Sequence, residues 1–143
     1  MNKKPRGIRN NNPGNIRHTG TQWAGLSVPP SDGEFCIFTE PKWGIRALAR
    51  VLRVYQTKYG ICTISGIIRR WAPTIENDTN SYIKSVCHQT GFGAGSELNL
   101  FDDDTMLALV KAIIQHENGQ QPYSNEQLLE GIRYSCLSSY NFI

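Results

Sequence analysis

The chain has 143 residues, 39% of them hydrophobic and 19% charged, and this composition suits one compact domain with a sizeable core. The net charge of +3 is modest and much of it lies within residues 3–17, so the dense basic face of a nucleic-acid-binding protein is not expected. No apolar run approaches the roughly 20 residues of a membrane span, and the first residues lack a secretory signal's apolar stretch. We therefore expect a protein made in the cytoplasm without a signal peptide, with no membrane span and no nucleic-acid partner.

The four cysteines are widely spaced and form no CxxC pair or Cys/His cluster of metal-ligand spacing. In a cytoplasmic product, free and buried thiols are the favoured interpretation, and two disulfides are the alternative. An acidic run at residues 102–104 is explained by the positive end of a helix dipole, which favours carboxylates. We predict neither a metal site nor a cofactor. The cysteines are Cys36, Cys62, Cys87 and Cys136.

Residues 1–33 are rich in Asn, Gly, Pro and Arg and predict loop with little regular structure. The run from Asn10 to Asn15 has the composition of consecutive turns. Two short segments, residues 23–26 and residues 34–38, have the length of strands, and residues 29–33 between them favour a turn. A small β-hairpin is therefore predicted near the N-terminus.

Helical periodicity begins after Pro41 and predicts five helices, of which the first carries apolar positions from Ile45 to Tyr59. Opposite its apolar stripe lie Arg46, Arg50 and Arg53, for which a solvated surface is the simplest interpretation. The second is a short helix capped by Thr63 and stopped by Pro73, and the third is capped by Asp78 or Thr79 and ends at Gly91. The fourth begins at residues 102–104, and the last begins at Ser124.

One carboxylate lies on the buried side of an apolar helix. Met106, Val110, Ile113, Ile114 and Glu117 fall at i, i+4, i+7, i+8 and i+11, the core-facing stripe of an α-helix. Gly119 then provides the left-handed residue that ends such a helix, so Glu117 lies at the negative end of the dipole. Burial and the dipole both favour the protonated carboxyl, which is the form that a general acid needs.

Two parts of the sequence resemble known proteins. The run from Ala112 to Gly119, followed by residues 121–124, resembles the helix end of soluble lytic transglycosylases and goose-type lysozymes, where a glutamate that cleaves peptidoglycan precedes a short loop and a serine. A second set, which covers nearly the whole chain, is similar to small lysozyme-superfamily proteins of phages. This set comprises residues 6–17, Trp23, Gly25, Phe35, Phe38, residues 44–47 and residues 71–73.

The resemblance implies a mainly α (α+β) fold, a single lysozyme-like domain over residues 1–143 with a small β-hairpin lobe. In the usual lysozyme order the glutamate helix comes early, whereas here it follows the candidate lobe. The chain is therefore expected to be a circular permutation, with the helix of about residues 103–117 facing a lobe of about residues 12–38. The alternative is that the Glu117 motif is coincidental and that Glu34, Glu40 or Glu76 supplies the acid.

The activity implied by the resemblance is cleavage of the β-1,4 bond between N-acetylmuramic acid and N-acetylglucosamine, with Glu117 as general acid. A muramidase would add water with the help of a second carboxylate, for which Glu76 and Glu34 are the candidates. A lytic transglycosylase needs none, because the 6-hydroxyl of the sugar closes an anhydro ring. The absence of a compelling partner for Glu117 slightly favours the transglycosylase.

Five side chains are candidates for binding the glycan. Amides donate to and accept from hydroxyl and acetamido groups, indole rings pack on pyranose faces, and tyrosine hydroxyls orient polar groups. The alternatives are turn chemistry for the asparagines and ordinary packing for the aromatic residues. His116 lies one position off the stripe and is expected at the surface or beside the site. The five are Asn12, Asn15, Trp23, Tyr82 and Tyr123.

Three functions remain open at this stage. The preferred one is a monomeric peptidoglycan-degrading enzyme that acts in the periplasm, as an endolysin or as part of a phage virion beside other virion proteins. The first alternative is a non-catalytic phage virion structural protein that binds cell-wall glycan. The second is a basic accessory protein that binds nucleic acid.

Overall fold

The structure is a computed structural model that describes residues 4–75 and 77–136. Its described part is mainly helical with one small antiparallel sheet, which confirms the mainly α prediction. None of its helices is long and apolar enough to cross a membrane. In chain order the elements are α1 (Arg6–Arg9), β1 (Leu26–Ser31), β2 (Cys36–Phe38), α2 (Pro41–Tyr59), α3 (Ile64–Trp71), α4 (Thr79–Thr90), α5 (Asp103–Asn118) and α6 (Asn125–Tyr134).

The N-terminal region contains more regular structure than the sequence predicts. Residues 6–9 form α1, which at four residues is too short to show helical periodicity. The hairpin is present, but its first strand is Leu26–Ser31 rather than residues 23–26. This strand includes Pro29 and Pro30, which were expected in the turn. Prolines are tolerated there because β1 is an edge strand, whose outward positions need no amide donor.

The other edge of β2 is covered by the N-terminal loop. The amide of Cys36 donates to the carbonyl of Ile16 (2.9 Å), and the amide of Phe38 donates to the carbonyl of Asn10 (2.9 Å). Strand β2 therefore lies between β1 and the loop. Hairpin and loop form one unit at the N-terminal end of α2, where Gly44 packs so closely on the carbonyl of Asn11 that any side chain would clash.

Helix boundaries follow the capping residues seen in the sequence. Thr63, Asp78, Asp102 and Ser124 each accept a hydrogen bond from a backbone amide in the first turn of their helix. Gly60, Gly91 and Gly119 end α2, α4 and α5 in the left-handed conformation. The five predicted helices are thus confirmed, because their boundaries depend on local chemistry.

The main core lies between α2, α3, α4, α5 and α6, with α2 packed against α6 and α5 against α4. Four residues of the predicted α5 stripe, Met106, Val110, Ile113 and Ile114, are fully buried in it. A smaller cluster formed by Cys36, Phe38 and Ala47 joins the hairpin to α2. The hairpin is therefore fixed to the helical body through the first turns of α2.

The prediction that the α2 arginines form a solvated surface is wrong for two of them. Arg46 and Arg53 are each only 4% exposed, because α6 covers the face of α2 that the sequence pattern leaves polar. The Arg53 guanidinium donates to the carbonyls of Leu100 (3.1 Å) and Ile132 (3.0 Å). Burial lowers the pKa of Arg53 and of Arg46.

The four cysteines are free thiols, as predicted, but only Cys36 is buried. Cys62 and Cys87 are half-buried, Cys87 against the main core, and Cys136 is exposed after the last helix. Burial raises the pKa of the Cys36 thiol, so this group is an unreactive packing residue.

Replacement of Arg53 by methionine should destabilise the fold, because it leaves the buried carbonyls of Leu100 and Ile132 without this donor while keeping the apolar stem. We expect the free energy of unfolding, measured by urea titration, to fall by about 2–4 kcal/mol. Arg69 is exposed and bonds only to Ser65 in the described structure. The control variant Arg69→Met should change stability by less than about 0.5 kcal/mol, and equal losses in both variants would contradict the stabilising role of the Arg53 hydrogen bonds.

Candidate active site

The C-terminal end of α5 and the N-terminal region face each other across a cleft of about 360 Å³. Glu117, in the last turn of α5, is half-buried and lines this cleft. Asn15 and Arg17 from the N-terminal loop and Phe35 beside the hairpin line it too. The sequence predicted that these two parts would face each other, and the cleft brings them together. The remaining lining residues are Gly14, Ile16, Val51, Tyr55, Trp71, Ala72 and Asn77.

Three side chains from different parts of the chain donate hydrogen bonds to the Glu117 carboxylate. The amide of Asn15 reaches Oε1 (3.0 Å), whereas the Tyr82 hydroxyl (2.8 Å) and the Trp71 indole N–H (3.4 Å) reach Oε2. Burial and the neighbouring Glu117 carboxylate raise the pKa of Tyr82 well above its usual range. The Tyr82 hydroxyl therefore keeps its proton and remains a donor, and the carboxylate is fixed in one position.

His116 packs against Tyr82 on the side of its ring that faces the surface of the protein. Its ring stacks on the Tyr82 ring with centroids 3.7 Å apart and an angle of 23° between the planes. His116 itself is exposed, as the sequence predicted for a residue one position off the stripe. It packs against Tyr82, which positions Glu117, and within the described residues it makes no hydrogen bond to the carboxylate itself.

The two candidate asparagines have different roles. Asn12 is fully buried, and its amide donates to the carbonyls of Ile16 and Cys36 (3.0 Å each) while its oxygen accepts from the amide of Ile16. The proposed glycan contact at Asn12 is therefore wrong, because no part of the side chain faces the cleft. Asn15 does line the cleft, and its left-handed backbone (φ 52°) turns its amide toward Glu117.

Close packing fixes the loop against the end of α5. The Asn118 amide donates to the carbonyls of Pro13 (2.8 Å) and Ile114 (3.0 Å). A side chain at Gly7 would collide with the side-chain oxygens of Asn118 and Asn15. The distance between the loop and the catalytic candidate is thus set by contacts on both sides of the cleft.

Glu34 and Asp32 belong to an ion-pair network rather than to the cleft. Arg6 pairs with Asp32 (2.7 Å) and Glu34 (2.8 Å), and Arg17 pairs with Glu34 (3.0 Å). The Arg17 and Arg6 hydrogen bonds lower the pKa of Glu34. Neither acid is among the described residues that line the cleft, so Glu34 as second carboxylate finds no support here. The other candidate, Glu76, lies outside the described residues.

The two remaining aromatic candidates lie away from Glu117. Trp23 packs against the small cluster under the hairpin and lines a neighbouring groove. Tyr123 is buried in the main core, where burial raises its pKa to about 12, and its hydroxyl has no hydrogen-bond partner in the described structure. A glycan contact at Tyr123 is therefore wrong, because the side chain is a packing residue.

Trp71 is the residue of the site that sequence reasoning missed. It was recognised only as part of a resemblance and as the end of α3, yet its indole N–H faces Glu117. Forty-six positions separate the two residues, so no local pattern relates them. The only sequence signal is that Trp71 ends a helix stopped by Pro73, and this position does not identify a partner.

The ion pairs of the hairpin predict a pH dependence of stability. The hydrogen bond from Arg6, together with the amide of Phe35 and the Asn10 side chain, lowers the pKa of Asp32 well below its usual range. Asp32 thus adds stability that is fully present above its unfolded-state pKa of about 3.9 and is lost as pH falls toward the native value. We expect Asp32→Asn to be less stable than the wild type near neutral pH. The gap should narrow below about pH 4 in urea titrations, and a constant gap would contradict the linkage.

Comparison with known proteins shows a phage relative. No protein-family profile matches the sequence. The chain is 44% identical over 137 residues to Protein P5 of Pseudoalteromonas phage PM2, in an alignment that covers 94% of this chain and 84% of that protein. The chain therefore belongs to the same family as Protein P5, a family of bacteriophage proteins.

Proposed function

We propose that this protein degrades peptidoglycan by cleaving the β-1,4 bond between N-acetylmuramic acid and N-acetylglucosamine, with Glu117 as the general acid. The single observation that supports this most is the position of Glu117, half-buried in a cleft and held there by Asn15, Tyr82 and Trp71. A general acid must be fixed within hydrogen-bond distance of the leaving oxygen, and such a carboxyl is preorganised for that task.

The proposal includes a lysozyme-like fold in circularly permuted order. It is supported by the placement of the N-terminal loop and hairpin opposite the end of α5. The hydrogen bond between Asn15 and Glu117 joins these two regions, which are about a hundred residues apart in sequence. In a glycan-cleaving site the acid and the opposing lobe must contact the same strand from two sides. The cleft between them has the aromatic and amide lining that suits sugar rings.

The transglycosylase version is favoured over the muramidase. Glu117 is the one acidic side chain among the described residues that line the cleft. A hydrolase of this class uses a second carboxylate at a defined distance from the acid, whereas a transglycosylase reuses one glutamate for both proton transfers. Glu117 would first protonate the glycosidic oxygen and then accept a proton from the sugar's 6-hydroxyl as the anhydro ring closes.

Mutation of Glu117 to glutamine tests the general acid, since the amide keeps the shape but cannot donate a proton as an acid. We expect turnover of purified peptidoglycan to fall by about 100-fold to 10,000-fold with thermal stability nearly unchanged. Mass spectrometry of the wild-type products identifies the chemistry: anhydro ends indicate a transglycosylase and reducing ends a muramidase.

Three parallel variants make this test specific. Glu34→Gln and Glu76→Gln examine two of the rival carboxylates, and Glu97→Gln, at an exposed position, serves as the matched control. Glu97→Gln should retain wild-type activity. Activity of Glu117→Gln within a few fold of the wild type would remove Glu117 as the acid, and loss of activity in one of the rivals would identify its replacement.

Tyr82 is a positioning residue whose hydroxyl orients Glu117, so Tyr82→Phe should lower kcat by about tenfold, the equivalent of one hydrogen bond to a charged group. Because Tyr82 acts through the carboxylate, KM should change little. The matched control is Tyr134→Phe, because Tyr134 belongs to α6 and stacks on Trp43. This variant should leave kcat and KM unchanged. A rise in KM without a fall in kcat would place Tyr82 in substrate binding instead.

A second function has one observation in its favour. Both oxygens of Glu117 already accept hydrogen bonds, which also suits a fixed polar anchor for a bound glycan. Together with the phage relative, this supports a virion structural protein that binds the wall without cleaving it. Retention on insoluble peptidoglycan with no soluble products after prolonged digestion would favour this function over the enzyme.

A further inference from the structure

A second groove continues from the Glu117 cleft along α2. The two depressions share Val51 and Tyr55, so they form one continuous surface. We call the part beyond Tyr55 the cationic groove. It is lined by Thr21, Trp23, Arg50, Val51, Val54, Tyr55, Lys58, Tyr59 and Arg70. Its α2 residues recur at the spacing of one helix face, and Arg70 of α3 and Trp23 of the N-terminal region form the sides.

The groove combines positive charge with aromatic rings. Three of its described lining residues, Arg50, Lys58 and Arg70, are cationic, and none is acidic. The Arg70 guanidinium lies 3.9 Å from the centroid of the Tyr59 ring and 5.4 Å from that of Tyr55. Stacking restrains the guanidinium while leaving its N–H groups free to face a ligand. The groove is therefore suited to a ligand whose rings can pack on the aromatic side chains and whose separate anionic groups can pair with the cations.

We propose that the cationic groove binds the carboxylates of a peptidoglycan strand whose scissile bond lies at Glu117, an inference that rests on the proposed function. The peptide stems, attached to every second sugar, carry free carboxylates. The carboxyl of muramic acid itself is free only where the stem has been removed, because the stem is joined to it by an amide bond. A strand that occupies the Glu117 cleft and extends past Tyr55 would bring these carboxylates to Lys58 and Arg70. The groove thus selects wall glycan over the uncharged polymer chitin.

Charge distribution favours this ligand over a nucleic acid. A nucleic acid carries a phosphate at every step of its backbone, and its binding site is usually basic throughout. Here the cationic groove leads directly into a cleft that contains the Glu117 carboxyl. A glycan strand offers an uncharged glycosidic bond at that position, whereas a nucleic acid would place a backbone phosphate beside an acidic side chain.

The test compares binding of three glycans to the full-length protein in the Glu117→Gln background, so that cleavage does not interfere. The ligands are strands with intact peptide stems, whose free carboxylates belong to the peptides, strands freed of stems by an amidase, which exposes the muramic carboxyl, and chitin oligosaccharides. We expect Lys58→Gln/Arg70→Gln to weaken binding of stem-bearing strands by at least about fivefold and that of chitin by less than twofold. The wild-type preference should also shrink at high salt.

The matched controls are exposed basic residues that lie outside the cationic groove. Arg69→Gln and Lys84→Gln remove two exposed cations outside the groove and should leave all three affinities unchanged. Melting temperatures of all variants identify any loss caused by unfolding. Loss of affinity for stem-bearing strands alone would assign the contact to the carboxylates of the peptide. Loss for denuded strands as well would show that the groove also binds the muramic carboxyl that the amidase exposes.

Three outcomes would overturn the inference: equal losses on chitin and on stem-bearing strands, no loss on any ligand, or tighter binding of a single-stranded oligonucleotide than of any glycan. Failure of the proposed function is a separate result. If the wild-type protein releases no product but keeps the charge-dependent preference among glycans, the proposed catalysis is refuted and the proposed ligand of the groove is supported. If it cleaves the wall but shows no such preference, only the proposed ligand of the groove is refuted.

Discussion

The hydrogen bonds made by a short asparagine-rich loop hold the candidate site together. Asn10 donates to Asp32, Asn11 to the carbonyl of Phe38 and Asn12 to the carbonyl of Cys36, whereas Asn15 donates to Glu117. A buried amide without partners is costly, so Asn12 in particular fixes the loop to β2. Because one loop binds both the hairpin and the end of α5, the width of the cleft depends on these contacts.

Helix α2 connects this unit to the rest of the protein. Its buried Arg53 binds α6 and the segment before α5, while Val51 and Tyr55 line both the cleft and the cationic groove. A change that displaces α2 would therefore alter both depressions together. The hydrogen bonds of Arg53 also explain why α6 covers the polar face of α2. The guanidinium stabilises carbonyls at the ends of the neighbouring elements, so this face need not be exposed to solvent.

The sequence predicts the parts of the fold that depend on local chemistry. Caps such as Thr63 and Ser124 and stop signals such as Gly119 determine helix boundaries within a turn, and the stripe position placed Glu117 at the edge of the core. Burial of Arg53, the prolines of β1 and the contact of Trp71 with Glu117 depend instead on partners distant in the chain. Periodicity carries no information about such partners, which is why these features were missed.

The two oxygens of Glu117 are not equivalent, and the difference bears on proton transfer. Oε2 accepts from both Tyr82 and Trp71, whereas Oε1 accepts only from Asn15 among the described residues. A carboxylate oxygen offers about two lone-pair sites, so Oε1 is the oxygen with a site left for a proton. Trp71 can only donate, which keeps Oε2 an acceptor and turns Oε1 toward the loop side of the cleft. In the proposed reaction the glycan would therefore present its leaving oxygen beside Asn15, between the N-terminal loop and the end of α5.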